Sequence, residues 1–162
     1  MLFTPDSPSA LSLLPGLRHR KLVLASASPR RKQLIGMLGI PFEVRPIGAD
    51  EIYPKEITGP DIPRFLSELK ARAAVSTLSP VEILITSDTV VQLDGQTLEK
   101  PASPEEAFRM IRALSGRTHE VTTGFTIVDG RQTDVLKTDH DTVTVSFVHL
   151  SDDFIHHYIA HH

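Results

Sequence analysis

The segment from Ser26 to Arg31 combines residue types that bind anions. It reads Ser-Ala-Ser-Pro-Arg-Arg and follows Lys21–Ala25, a short apolar run that is typical of a buried strand. Ser28 suits a helix N-cap and Pro29 suits the first helical position, so the spacing predicts a helix start. Such a start offers free backbone N–H groups, and arginine fits two phosphate oxygens at once. The segment therefore predicts a phosphate site, with an exposed arginine pair as the alternative.

Asp88 is the second candidate, because it comes shortly after the apolar run Val81–Ile85. We expect a buried strand over Glu82–Thr86 that ends or bends at Asp88 and Thr89. Ligands of α/β sheets bind beyond the carboxyl ends of strands, where a carboxylate can hold a divalent metal or orient a water molecule. Capping a turn is an equally good interpretation of Asp88 from its position alone.

Three further charged positions could add to such a site. Lys70 lies in a predicted helix, Lys100 precedes Pro101, and Asp50-Glu51 lies in a predicted loop. Lysine binds phosphate as a point charge and carboxylates bind hard cations, yet residues of these types are more commonly solvated surface groups. The eight histidines show no spacing that is typical of a metal site.

The apolar pattern predicts strands that alternate with helices around these residues. The predicted strands are Lys21–Ala25, Phe42–Arg45, Glu82–Thr86, a hairpin of Val90–Leu93 with Thr97–Leu98, Glu120–Val128 and Thr142–Val148. The predicted helices begin at Pro29, at Asp61, at Pro104 and after Ser151, and they end near Gly39, near Thr77, at Leu114 and at the terminus. This alternation indicates the α/β class, and the hairpin-like strands after residue 120 indicate a mixed sheet.

Two of these helices carry specific side-chain signals. The segment Ser103–Glu106 has the N-cap serine, the proline and the third-position glutamate of a capping box. The helix from Asp61 is predicted to bury one apolar stripe, and that stripe consists of Phe65, Leu69 and Ala73.

Composition limits the class of protein. A chain of 162 residues suits one domain, and 40% hydrophobic with 23% charged residues is an ordinary globular balance. The chain contains no cysteine, which excludes disulfides, thiolate zinc sites and a cysteine nucleophile. The net charge of −3 argues against a nucleic-acid partner. Residues 1–49 contain seven of the 17 basic residues but only two of the 20 acidic residues. This basic segment suits a small anionic ligand, or it is a solvated surface.

Residues 1–20 are predicted to form a flexible N-terminal extension. Its basic residues follow its short apolar segment, Ala10–Leu14, which is the wrong order for a secretory signal. No apolar run in the sequence approaches the roughly 18 residues that a membrane span needs. We therefore expect a cytoplasmic protein without a membrane partner.

Four short motifs occur in a fixed order along the sequence. The sequence has no phosphate loop, no dinucleotide fingerprint and no nucleophile elbow. The four motifs are Leu24–Arg31 (LASASPRR), Ser87–Val91 (SDTVV), Glu99–Pro101 (EKP) and Leu114–His119 (LSGRTH). In this order they resemble the Maf family of nucleoside triphosphate pyrophosphatases, and the ordered series is specific to that family. The resemblance extends from about Lys21 to Ala160.

The resemblance implies a fold, an activity and a set of site residues. The implied fold is an α/β fold of the Maf and ITPase type, a mixed sheet with flanking helices and a cleft between two lobes, often in a homodimer. The implied reaction hydrolyses a nucleoside triphosphate to the monophosphate and pyrophosphate with Mg²⁺ or Mn²⁺. Asp88 matches the catalytic proton acceptor, and Arg30 and Thr89 match positions linked to substrate choice. The other matching positions are Ser26, Arg31, Glu51, Lys70 and Lys100, with Glu51 and Asp88 as the expected metal ligands.

The resemblance also indicates one branch of the family. Arg30 follows Pro29 directly, as in the branch that acts on dTTP and UTP, whereas the branch that acts on 7-methyl-GTP tends to insert an aromatic residue there. Family members continue past their final helix into a segment resembling D-K-A-G-x-Y-G-I-Q. This sequence stops at His162, so we expect a domain over residues 21–162 without that segment. A non-catalytic nucleotide-binding or regulatory protein is the alternative to an enzyme.

Overall fold

Six strands and four α-helices make up the described part of the chain, residues 14–49, 51–134 and 136–161 of a computed structural model. The strands are β1 (Lys21–Leu24), β2 (Phe42–Val44), β3 (Glu82–Leu93), β4 (Gln96–Leu98), β5 (Thr118–Asp129) and β6 (Leu136–Ser146). The helices are α1 (Pro29–Gly36), α2 (Asp61–Ala74), α3 (Pro104–Leu114) and α4 (Asp152–His161), with 3-10 turns at Pro15–Leu17 and Val75–Thr77. No helix in this part is long and apolar enough to cross a membrane.

The strands form one mixed sheet in the order β2-β1-β3-β5-β6. Strand β1 is parallel to both β2 and β3, whereas β5 is antiparallel to β3 and to β6. Strand β4 folds back in a hairpin onto the last part of β3. Parallel neighbours joined through helices, beside an antiparallel half, are the arrangement that the alternating pattern predicts. The α/β class and the mixed sheet are therefore confirmed.

Strand β3 is longer than predicted. It continues without interruption through Asp88 and Thr89 to Leu93, so the prediction that the strand ends or bends at these residues is wrong. The physical reason is pairing: β-branched residues fill this stretch, and β5 pairs with β3 along ten residues. Asp88 is therefore part of a strand and does not cap a turn.

The other edge of β3 is interrupted where Asp88 lies. Strand β1 pairs with β3 as far as Leu24↔Ile85, and β4 takes up the same edge from Val91↔Leu98 onward. Among the described strands none pairs with residues 86–90 on this edge. Asp88 lies in the middle of this gap, beyond the carboxyl end of β1, which is where ligands of α/β sheets bind.

Helix α2 packs on the sheet with a different stripe from the predicted one. Its buried residues are Ile62, Pro63, Leu66, Ser67, Lys70, Ala71 and Ala74, whereas Phe65 and Leu69 are half-buried and Ala73 is exposed. Polar contacts explain the difference. The hydroxyl groups of Ser67 and Thr126 are 2.9 Å apart, and Thr86 Oγ1 donates to the Ser67 carbonyl at 2.7 Å. A buried face that contains such pairs does not follow an apolar pattern.

Gly124 of β5 lets α2 approach the sheet closely. It pairs with Asp88 on β3. A Cβ atom added at Gly124 would lie 2.3 Å from the carbonyl carbon and oxygen of Pro63 and 2.5 Å from the nitrogen of Arg64. Only glycine fits without moving the first turn of α2. This contact seats the helix that carries Lys70 against the strands beside Asp88.

The helix starts that were predicted from capping signals are confirmed. Ser28 Oγ accepts a hydrogen bond from the Arg31 N–H at the start of α1, and Ser103 Oγ accepts one from the Glu106 N–H at the start of α3. The final strands are corrected: β5 starts earlier than predicted, and β6 covers Leu136–Ser146 instead of 142–148. Pairing with β5 sets the length of β6, including its polar first half.

Residues 1–13 of the predicted N-terminal extension lie outside the described residues. In the remainder, Pro15–Leu17 form a 3-10 turn. The Arg20 guanidinium donates to both carboxylate oxygens of Asp129, at 2.6 and 2.9 Å, and to the Glu82 carbonyl at 2.9 Å. This bidentate pair joins the start of β1 to the end of β5.

Candidate active site

A cavity of about 460 Å³ opens beside the unpaired stretch of the β3 edge, between the parts that pair with β1 and with β4. Most of its lining is polar or charged, and the residues are Ser28, Arg31, Glu51, Tyr53, Leu66, Lys70, Asp88, Thr89, Val90, Leu98, Glu99 and Lys100. They come from α1, from the segment between β2 and α2, from α2, from β3 and from the end of β4. We call this space the phosphate cavity, because the predicted phosphate segment supplies one of its walls.

A buried ion pair forms the centre of the cavity. Asp88 is 7% exposed and Lys70 is 9% exposed, and Lys70 Nζ donates a short hydrogen bond to Asp88 Oδ1. Lys70 Nζ also lies 2.9 Å from Glu51 Oε1. A buried charge is strongly unfavourable without a partner, so the pairing keeps both ions in place. The lysine thereby brings two carboxylates to one point.

Glu51 connects this centre to Lys100 at the mouth of the cavity. Lys100 Nζ donates to Glu51 Oε2 at 2.8 Å, and the Lys100 side chain is 86% exposed. Hydrogen bonds from Lys100 first, and from Lys70 second, lower the pKa of Glu51 to about 2. The same contact with Glu51 raises the pKa of Lys100. Glu51 is therefore an anion throughout the physiological pH range.

The start of α1 forms the wall that contains the predicted phosphate segment. Ser26 is buried, and its Oγ accepts hydrogen bonds from the Ser28 N–H at 3.2 Å and from Arg31 Nη1 at 3.4 Å. Arg31 lines the phosphate cavity. Arg30 does not; it lines a neighbouring groove of about 470 Å³. The positive helix end and one guanidinium therefore face the cavity.

The structure brings most of the predicted site residues together. Those that line the phosphate cavity are Arg31, Glu51, Lys70, Asp88, Thr89 and Lys100. Ser26 does not line the cavity, but its hydroxyl oxygen accepts a hydrogen bond from the Arg31 guanidinium. Arg30 lies apart from it, and Asp50 is outside the described residues.

The carboxylates fit a hard divalent cation that is shared with a phosphate. Glu51 and Asp88 converge on one nitrogen atom, and oxygen donors are the ligands that Mg²⁺ and Mn²⁺ prefer. Among the described residues, no group of three or more His, Cys, Asp or Glu side chains could hold a metal. Mg²⁺ is commonly bound by one or two carboxylates together with substrate phosphates, so two carboxylates suffice for such a site.

Two polar residues of the cavity, Tyr53 and Glu99, were not selected as site residues from the sequence. Tyr53 Oη donates to Glu99 Oε1 at 2.6 Å, and this hydrogen bond, with burial as a second cause, raises the pKa of Tyr53 to about 12. The sequence signals were weak: a tyrosine two residues after Glu51, and a glutamate directly before Lys100.

Two less polar spaces flank the phosphate cavity. The groove that contains Arg30 is also lined by Ser87 and Thr89, which lie on the face of β3 opposite to Asp88, and by Phe125 of β5. A second space of about 530 Å³ lies between β4, α3 and α4 and includes Tyr158. Thr89 lines all three spaces. A ligand with a charged end and a planar end therefore finds complementary surfaces side by side.

The family profile described as Maf-like protein matches residues 21–162. The chain belongs to the Maf family. A curated relative from Flavobacterium johnsoniae, named dTTP/UTP pyrophosphatase, is 42% identical over 146 residues, which are 90% of this chain and 74% of the relative. A relative of the same name from Bacteroides thetaiotaomicron is 40% identical over 148 residues, 91% of this chain and 75% of the relative.

One solved structure supports the fold of this Maf-family chain. A HAM1 protein from Coxiella burnetii matches it with a TM-score of 0.50 and 14% sequence identity, over 78% of this chain and 72% of that protein. At this identity the likeness concerns the fold alone. The family resemblance found in the sequence motifs is confirmed, and so is the implied α/β fold of a mixed sheet with flanking helices.

Proposed function

We propose that this chain hydrolyses dTTP and UTP to the monophosphate and pyrophosphate. The observation that carries the proposal is the convergence of Asp88, Lys70 and Glu51 beside the N-terminus of α1 in one cavity. Cations suited to a polyphosphate and an anion suited to activating water lie in contact there. The names of relatives that are about 40% identical over nine-tenths of this chain support the same activity.

The cationic groups would neutralise the triphosphate. Lys100 is exposed at the mouth, and Arg31 at the start of α1 lines one wall. Phosphate oxygens that bind these groups would draw Lys70 and Lys100 away from Glu51 and Asp88. Positive groups that are already in place where negative charge develops usually lower the barrier of such a reaction more than any other single effect.

Asp88 would then act on the attacking water. Its carboxylate accepts a proton from the water molecule while the water oxygen bonds to the α phosphorus. The anhydride bond between the α and β phosphates then breaks, and pyrophosphate is the leaving group. Burial beneath the triphosphate excludes competing solvent from the carboxylate. Glu51 and Asp88 would hold Mg²⁺ or Mn²⁺, which when bound supplies further positive charge to the phosphate oxygens.

The nucleoside end is assigned to the groove that contains Arg30 and Thr89. This groove meets the phosphate cavity at Ser28, Arg31 and Thr89, so a nucleotide can extend from one into the other. In this proposal Arg30 contacts the nucleoside, and its match to a family position linked to substrate choice supports that role. Phe125 offers a planar apolar contact for a base.

A nucleotide panel tests the proposal. Pyrophosphate release should be fastest from dTTP and UTP, slower from dATP and from 7-methyl-GTP, and dependent on Mg²⁺ or Mn²⁺. Release of single phosphate would contradict the assigned bond, and metal-dependent binding without turnover would favour a non-catalytic protein. A homodimer in the cytoplasm belongs to the same proposal, and light scattering on the purified chain measures the dimer.

A further inference from the structure

Two side-chain hydrogen bonds, which we call cross-links, join the segments that form the outer wall of the phosphate cavity. One segment, residues 51–53, precedes α2, and we call it the strap; the other, residues 99–100, follows β4. Lys100 Nζ donates to Glu51 Oε2 at 2.8 Å, and Tyr53 Oη donates to Glu99 Oε1 at 2.6 Å. Each cross-link therefore connects the strap to the same neighbouring segment.

The two cross-links differ in what a bound triphosphate does to them. Lys100 is the most exposed cation of the cavity, so an entering phosphate competes for it directly. Glu51, its partner, is at the same time an expected metal ligand. Tyr53 and Glu99 take no part in the proposed chemistry. Their hydrogen bond is therefore retained when the Glu51–Lys100 ion pair exchanges for substrate contacts.

Tyr53 is also fixed at its ring. Its side chain packs against the buried cluster of Ile62, Leu66 and Val90, which joins α2 to β3. The described residues between β2 and α2 form no helix or strand, so side-chain contacts set the position of the strap. With its ring packed against this cluster and its hydroxyl bonded to Glu99, Tyr53 fixes the backbone two residues from Glu51.

We infer that Tyr53 and Glu99 are positioning residues that hold Glu51 at the phosphate cavity while Lys100 binds substrate. The inference rests on the proposed function for the part that Glu51 plays. The pair acts through Glu51 and touches no reacting atom.

Limited proteolysis tests the hold on the strap without any enzyme assay. Tyr53→Phe keeps the ring and removes the hydroxyl. Lys55, an exposed residue just after the strap, is the reporter site for trypsin. We expect cleavage after Lys55 to become about fivefold faster, with an unchanged melting temperature. Tyr158→Phe makes the same change at the other tyrosine and should leave the cleavage rate at the parent value.

Metal activation tests the role of the pair. Tyr53→Phe and Glu99→Ala should each raise the Mn²⁺ concentration for half-maximal pyrophosphate release about five- to tenfold, with kcat at saturating Mn²⁺ within about twofold of the parent. The double variant should be no worse than the worse single variant, since both remove one bond. Glu99→Gln retains an acceptor oxygen and should restore the parent value.

Two results would overturn the inference. The first is a cleavage rate after Lys55 that is equal in Tyr53→Phe and the parent. The second is a double variant whose half-activating Mn²⁺ concentration rises by the product of the two single-variant fold-increases. If the parent chain releases no pyrophosphate, the proposed function fails, and the proteolysis result still decides whether Tyr53 and Glu99 hold the strap.

Discussion

Asp88 and Lys70 are charges that the fold buries in advance of a ligand. Each is exposed by less than a tenth, and each is in contact with the other. Removing one partner of such a pair is costly, because the remaining charge lies in a medium that solvates it poorly. A polyphosphate can take Lys70 as its partner, and this exchange frees Asp88 to accept a proton.

Replacing Asp88 separates its chemical role from its structural one. Asp88→Asn keeps the size of the side chain but removes the charge that takes a proton, so turnover should fall by at least about 100-fold. Nucleotide affinity should hold or improve, because one negative charge near the phosphates is lost. Initial rates and calorimetric binding on the same preparation measure both quantities.

The control for this variant is Asp94→Asn, the same change at an exposed residue in the β3–β4 turn. Its turnover should equal that of the parent. A folded Asp88→Asn protein with a lower melting temperature and full turnover would show that Asp88 serves only as a partner for Lys70.

The two neighbouring arginines should affect different parts of the nucleotide. Arg31 lines the phosphate cavity, so Arg31→Ala should weaken the binding of all triphosphates alike. The expected loss is about 1.5–3 kcal/mol, the contribution of one charged hydrogen bond. Arg30 lines the adjoining groove, so Arg30→Ala should change the ratio of kcat/KM for dTTP and dATP. Steady-state kinetics with both nucleotides give these values. Equal effects of the two variants on that ratio would contradict the separation.

At the scale of elements, the sequence predicts features that depend on neighbouring residues, such as helix starts, but not contacts between distant residues. The starts of α1 and α3 follow from Ser28 and Ser103, because an N-cap bonds backbone groups only two or three residues away. The ion pairs of Glu51 with Lys70 and Lys100 join residues 19 and 49 positions apart in sequence, which no local pattern records. Charge alone made these residues candidates, and the family resemblance, not the physics of the isolated segments, assigned them to the site.

The seat of α2 on the sheet depends on Gly124. Gly124→Ala places a methyl group where Pro63 backbone atoms now lie, so the first turn of α2 must move. Forced overpacking of this kind typically lowers the free energy of unfolding by about 1–3 kcal/mol. Turnover should fall as well, because α2 carries Lys70. Urea unfolding and initial rates measure the two effects.

Gly48→Ala is the matched control, since a Cβ added at Gly48 meets no atom within 4 Å. Its free energy of unfolding should stay within about 0.5 kcal/mol of the parent. An equally stable Gly124→Ala protein would show that α2 is free to shift on the sheet.

At the scale of the whole molecule, the middle and the start of β3 have different electrostatic roles. Around Asp88 the ion pairs border a cavity and can exchange for a ligand. At the start of the strand, six residues or roughly 20 Å away, Glu82 is buried and accepts from Arg45 Nη2 at 2.8 Å and from the Ser79 N–H at 2.9 Å. Arg20 and Asp129 form a second pair at the same end. These contacts join β1, β3 and β5 and bind no ligand in the proposed mechanism.

The charges at this end should make stability depend on pH. Hydrogen bonds from Arg45 first, and from Ser79 second, lower the pKa of Glu82 to about 2, against about 4.3 for a glutamate in an unfolded chain. The unfolded state therefore binds a proton first as the pH falls. The stability that Glu82 contributes is fully present above about pH 5 and is lost as the pH falls through about 2.

Glu82→Gln should remove this pH dependence. At pH 7 the variant should unfold at lower urea concentration than the parent, because the charged hydrogen bonds to Arg45 are weakened. Between pH 5 and pH 2 its stability should fall less steeply, and the two curves should approach each other near pH 2. The control is Glu43→Gln, which changes another carboxylate that bonds Arg45, but one whose side chain is about half exposed, and its curve should run parallel to that of the parent. Urea titrations at several pH values measure these curves. If the curve for Glu82→Gln also runs parallel to that of the parent, Glu82 does not couple protonation to folding.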